Sequence, residues 1–155
     1  DSEIFVQQDL KLQSFSITQL LHIQPYINGA ILSLTEEFPD YQFGEFTIKS
    51  PHTTTSLLVN EHEYGNFLQL HYHLAEDTMT RAEHKMHTTP ALENRADFNY
   101  PDHITASTRG QRSITAPIIN GRPKIGSREN VYALVTFGPR EISLSLTVKL
   151  FLVLD

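Results

Sequence analysis

Cysteine and tryptophan are both absent from this chain of 155 residues. Without cysteine there is no disulfide and no thiolate metal site. No apolar run approaches the roughly 20 residues that a membrane-spanning helix needs. Also missing are a Gly-rich phosphate loop, a Gly-x-Ser-x-Gly elbow and any cysteine nucleophile. No complete catalytic constellation can be read, so the chain is expected not to be an enzyme and to need no cofactor. Basic side chains are scarce in the first half. Residues 1–80 hold two of them (Lys11, Lys49) against eleven acidic ones, a balance of −9. Residues 81–155 hold ten against seven, +3, and the two halves together give the formal charge of −6. A chain this acidic is not, as a whole, a nucleic-acid binder, although a local basic face is compatible with the count.

What the sequence does contain is a long alternating segment at its end. Ile142, Leu144, Leu146, Val148, Leu150, Leu152 and Leu154 are apolar, with Ser143, Ser145, Thr147 and Lys149 between them. Such alternation puts the apolar set on one face of a strand, about 40 Å long at about 3.3 Å per residue. Phe151 and Val153 then make the second face apolar as well, so that tip is expected to be covered on both sides. Phe151 and Val153 are therefore the candidate subunit contact.

The length suits one domain over residues 1–155. Residues 4–17 alternate and predict a first strand. QLLHI (19–23) reads as a short helical or turn segment that Pro25 stops. Residues 27–38 favour a helix ended by Pro39, and 41–48 a strand. Residues 55–59 and 66–75 read as further strands, the second with His71 and His73 on one face. The stretch 76–103 is poor in apolar residues and reads as a long connection, with one short helix over 79–87. Strands are expected again at 104–107, 112–119 and 128–137, with a tight turn at Asn120-Gly121. The pattern predicts an all-β fold, an eight-stranded antiparallel jelly roll with short helices in its connections.

Several residue groups carry candidate chemistry. His71 and His73, two apart on a strand, would face the same way, and Asp77 follows; neutral imidazoles bind first-row metals. Gly65 stands five residues before His71, so the group partly resembles the first metal motif of the cupins, with no matching second motif. Glu83, His84 and His87 have the wrong spacing and order for a zinc-protease helix. The pairs Glu36-Glu37 and Glu76-Asp77 are solvated turn residues or, between subunits, Ca²⁺ ligands. Arg109, Arg112, Arg122, Lys124 and Arg128 cluster within about twenty positions. They form either an ordinary salt-bridged surface or a phosphate-binding face for nucleic acid.

The order of signals resembles the single jelly-roll coat proteins of circular Rep-encoding single-stranded DNA viruses, the group of the circoviruses and geminiviruses. The segments that carry the likeness are FSITQLL (15–21), LTEEFPDYQFGEFTIKSP (34–51), LHYHLAEDT (70–78), RSITAPI (112–118) and VYALVTFGPREISLSLTVKLFLVL (131–154). The sequence departs from that family at Gln42-Phe43-Gly44, where an arginine is usual; the family's basic arm ahead of the first strand is also not within residues 1–155 and would have to precede them. The resemblance implies a capsid protein that assembles with itself into a closed icosahedral shell in the virion. It would enclose viral nucleic acid without reading its sequence and would need no membrane. Arg109, Arg112, Arg122, Lys124 and Arg128 would then face the genome. Two other readings stay open: a cupin-like metal-binding enzyme centred on His71, His73 and Asp77, and a β-sandwich lectin-like or filament subunit.

Overall fold

The closing strand pairs with the opening one. In a computed structural model, which describes residues 2–85 and 100–153, strand β1 (Glu3–Gln13) runs antiparallel to β8 (Glu141–Phe151) over its whole length, from Glu3 opposite Phe151 to Gln13 opposite Glu141. Burial along β8 alternates as its sequence demands: Ile142, Leu144, Leu146, Val148 and Leu150 are buried, and the residues between them are not.

Between the two lie β2 (Gln19–His22), α1 (Gln24–Glu37), β3 (Phe43–Lys49), β4 (Thr55–Glu61), α2 (Tyr64–Lys85), α3 (Tyr100–Arg109), β5 (Ser113–Ile119), β6 (Arg122–Pro123) and β7 (Glu129–Val135). The strands form two antiparallel sheets, one in the order β1-β8-β3-β5-β6 and one in the order β2-β7-β4. The main core lies between the sheets, where Phe46, Ile48, Leu144 and Leu146 meet Leu57, Val131 and Ala133 and the inner face of α1, Ile27 and Ile31. A second cluster covers the other face of the small sheet, where Leu20, Tyr132 and Leu134 pack under Leu74, Phe67 and Leu70 of α2.

The chain is therefore mostly β, and its described residues form eight antiparallel strands, as expected, with three helices in the connections, two of them longer than expected. The largest correction is at residues 66–75, which belong to α2. Leu68, Leu70, Tyr72 and Leu74 alternate, but Leu68 (46 % exposed) and Tyr72 (70 %) face out. The set packed against the sheet is buried Leu74 with half-buried Phe67 and Leu70, whose spacing of three and four is helical. Residues 104–107 likewise lie in α3, not in a strand.

QLLHI is corrected the other way. Residues 19–22 form β2, paired with β7 from Gln19 opposite Val135 to His22 opposite Tyr132. Pro25 does not stop a helix there; it sits in the first turn of α1, where its missing N–H costs no hydrogen bond. The Asn120-Gly121 turn is as expected. Both residues take positive φ, 52° and 73°, the backbone that a tight β5–β6 hairpin requires.

Candidate functional site

The strands β4 and β7 of the small sheet end in polar residues at the same edge, Asn60 opposite Asn130 and Glu61 opposite Glu129. The third strand, β2, stops beside them at His22. Where it stops, Gln24 takes over. Gln24 is 5 % exposed; its side-chain oxygen accepts the Val131 N–H at 3.0 Å, and its Nε2 donates to Asn28 Oδ1 at 2.9 Å. A glutamine at the start of α1 thus continues the sheet's hydrogen bonding and fixes Asn28 one turn on.

His22 and His62 form the centre of this edge. Their rings stack nearly parallel, 7° apart, with centroids 3.8 Å apart. His22 Nε2 lies 2.8 Å from Asn130 Oδ1, and an amide oxygen only accepts, so that nitrogen carries the proton. His62 Nδ1 meets the Tyr132 hydroxyl. Burial pushes the Tyr132 phenol above its ordinary value of 10.0, because the phenolate would lose its hydration. The hydroxyl therefore keeps its proton, and its contact at Nδ1 holds the His62 ring in place. Phe67, with its centroid 5.9 Å from that of Tyr132, closes the far side.

Asn130 also lines a groove of about 650 Å³ between α1 and the β6–β7 connection. Its wall is rich in side-chain amides, from Gln24, Asn28, Gln42 and Asn120, with Arg122 as a cation and Glu129 as an anion. Glu129 is engaged, since its Oε1 accepts the Gly126 N–H at 2.6 Å. The groove thus offers donors and acceptors of both kinds, one guanidinium, and the imidazole pair joined to it through Asn130.

The residues singled out in the sequence fall elsewhere or play other parts. His71 and His73 do not share a face, because two positions along a helix turn through about 200°. His71 Nε2 bonds the Thr18 carbonyl and ties α2 to the loop before β2, while His73 is exposed. Asp77 pairs with Arg109 at 3.1 Å. Among the described residues no three His, Asp or Glu side chains stand close enough to hold a metal ion. The side chains of Glu83, His84 and His87 lie outside the described residues. Glu36, Glu37 and Glu76 are exposed on helices rather than in turns.

The basic residues separate. Arg112 clamps a loop of its own chain, donating to the carbonyls of His52, Ser50 (2.8 Å) and Thr55 (3.3 Å). Arg128 pairs with Glu61 at 3.3 Å, and Arg109 is held by Asp77. Arg122 reaches the groove, and Lys124 follows it after β6. Phe151 (39 % exposed) stands on the large sheet opposite Phe43, and Val153 (52 %) follows that strand; neither lines the groove. His22, Gln24, His62, Asn130 and Tyr132 went unread in the sequence; their one local signal is the pair of polar strand ends, Asn60-Glu61-His62 and Glu129-Asn130.

Solved structures share the fold. A YbjQ-like protein of unknown function from Sulfolobus solfataricus P2 superposes with a TM-score of 0.76 at 19% identity, over 95% of this chain and 98% of that one. An uncharacterized conserved protein of the YjbQ/UPF0047 family from Clostridium acetobutylicum gives 0.71 at 20%, over 91% and 98%. A hypothetical protein from Aeropyrum pernix K1 gives 0.70 at 19%, over 92% and 97%. No curated protein matches the sequence. These neighbours are proteins of cellular organisms, so the coat-protein resemblance is corrected, and the shell, the enclosed genome and the virion fall with it. The pattern at 131–154 that helped to carry it, a hydrophobic strand, a small turn and a long closing strand, belongs equally to this fold. Residues 8–150 match the family model described as UPF0047 protein YjbQ-like, and the chain belongs to that family.

Proposed function

We propose that this protein binds a small polar molecule carrying an anionic group, in the groove between α1 and the β6–β7 connection. The observation that carries the reading is the wall itself, with amide side chains around a single arginine, in a groove of about 650 Å³. That volume falls within the usual range for small-molecule sites. The mixed donors and acceptors suit a hydroxyl- or amide-bearing ligand, and Arg122 suits a carboxylate or phosphate. His22, bonded to Asn130 and stacked on His62, joins the imidazole pair to the groove's wall.

The test is thermal unfolding with a panel of sugar phosphates, nucleotides and amino acids. A ligand at a hundred times its Kd stabilises by about 2.7 kcal/mol, a rise of several degrees for a chain of this size. At least one anionic compound should raise the melting temperature in the natural protein and fail to do so in Arg122→Ala. No shift with any compound would remove the reading.

We also read the strand order as a variant jelly roll. Successive strands alternate between the two sheets as in that fold, apart from the β5–β6 hairpin, and α3 stands beside β4 where a further strand would lie. Support comes from the edge of β4, where Leu57 and Gln111, just after α3, exchange both backbone hydrogen bonds as a strand partner would.

A further inference from the structure

We propose that the anionic group taken by the groove is a phosphate monoester, seated on Arg122 and Lys124 together. The proposal rests on the groove reading above and narrows it. A second recess, of about 510 Å³, adjoins the groove and shares Asn120, Arg122, Pro123 and Ile125 with it. Lys124 lines this recess, and Arg122 borders both spaces. The arm that carries the two cations is fixed at both ends. At the turn, the Gly121 N–H donates to the Gln42 carbonyl at 2.9 Å. Past β6, the Lys124 N–H donates to the Pro117 carbonyl at 2.7 Å, so the antiparallel pairing with β5 continues to Lys124. Residues two apart on such an arm project to the same side, about 6.6 Å apart along the chain. Side chains as long as arginine and lysine can converge on one tetrahedral anion from that spacing.

Charge decides between a carboxylate and a phosphate. Arg109, Arg128 and Lys149 are committed to ion pairs, and Arg112 to backbone carbonyls. Arg122 and Lys124 have no ion-pair partner among the described residues. Glu129 is the one carboxylate lining either recess, and it is occupied by the Gly126 N–H. Two positive charges therefore stand side by side uncompensated. A carboxylate brings a single negative charge, which one guanidinium fork satisfies. A phosphate monoester brings about −1.5 to −2 at pH 7 and three acceptor oxygens. The Arg122 fork can take two of these and the Lys124 ammonium the third. The organic part of the ester then lies in the groove. Asn28 uses its Oδ1 to accept from Gln24 and keeps its amide hydrogens for a hydroxyl of the ligand, and Leu32 (54 % exposed) offers apolar contact beside it. The ligand class is a small hydroxylated molecule with one phosphate ester.

The test is isothermal titration calorimetry of the full chain with matched pairs of anions: glycerol 3-phosphate and glycerate, glucose 6-phosphate and glucuronate, phosphoserine and aspartate. In at least one pair the phosphate should bind about tenfold or more tighter than the carboxylate, the worth of one further charge-assisted hydrogen bond. Lys124→Ala should remove that gap, weakening the phosphate by about the same factor while the carboxylate stays within about twofold. Lys124→Arg, which keeps the charge, should retain it. Lys124 is exposed, so both variants should keep the natural circular dichroism. Arg122→Ala should weaken both members of the pair. Equal affinity for phosphate and carboxylate overturns this proposal and leaves the groove reading standing, and so does a phosphate preference that survives Lys124→Ala. No binding by either member of any pair, nor by any other anion of the wider panel, removes the groove reading itself and this proposal with it.

Discussion

The Tyr132 hydroxyl meets His62 Nδ1 from beneath the sheet, so a buried side chain of β7 anchors an exposed ring just after β4. Tyr132→Phe keeps the ring and its packing and removes only that hydroxyl. The loss should be about 1 kcal/mol of unfolding free energy, the net worth of one hydrogen bond, measured by urea denaturation. A ligand that uses His62 should weaken in the same variant.

The same phenol sets an alkaline limit. Its proton is held more tightly in the folded chain than in the unfolded one, because burial raises its value above 10.0. The stabilisation is fully present below pH 10 and is lost as pH rises through the folded value. Stability measured from pH 8 upward should therefore fall in the natural protein, with a shallower fall in Tyr132→Phe.

At the acid end one contributing group is Glu63. Its carboxylate accepts the backbone N–H groups of Asn66 and Gly65 at the start of α2, and these two hydrogen bonds hold it below its ordinary value of 4.5. That contribution is present above pH 4.5 and is lost as pH falls through the folded value. Far-ultraviolet circular dichroism should show helix loss on acidification, at a higher pH in Glu63→Gln than in the natural chain. Equal acid profiles would remove this capping role.

Gln24→Ala should cost about 1–3 kcal/mol, because it leaves the buried Val131 N–H without its acceptor. It should also free Asn28 and weaken any ligand in the groove. Gln24→Glu, which retains an acceptor, should recover most of the stability.

Gly121→Val should destabilise by about 1–3 kcal/mol, because a β-branched residue is strained at a φ of 73°. The hairpin was legible in the sequence for the same physical reason, since two adjacent residues with positive φ leave few choices besides Asn-Gly. The terminal strand was legible because all of its packing lies on one face. Segment 66–75 was not. Leu70 and Leu74 satisfy both a period of two and a helical period, and only burial shows that Phe67 completes the set while Leu68 and Tyr72 do not. The candidate site was hidden for a different reason. His22, His62 and Asn130 are brought together by strand pairing across more than a hundred residues, and no spacing along the chain records that. The arginines show the converse: neighbours in sequence, they are divided among α3, a loop, a hairpin and a turn.

The central claim is that the amide-lined groove binds an anionic polar molecule. The most direct measurement is a titration of isotope-labelled protein with the panel of anionic metabolites, following the side-chain amide signals of Gln24, Asn28 and Asn130 by nuclear magnetic resonance. The account predicts saturable shifts of these three signals together, with the Val131 backbone amide moving alongside them. Signals that stay fixed for every compound, or shifts confined to the outer sheet face or to α2, would contradict it.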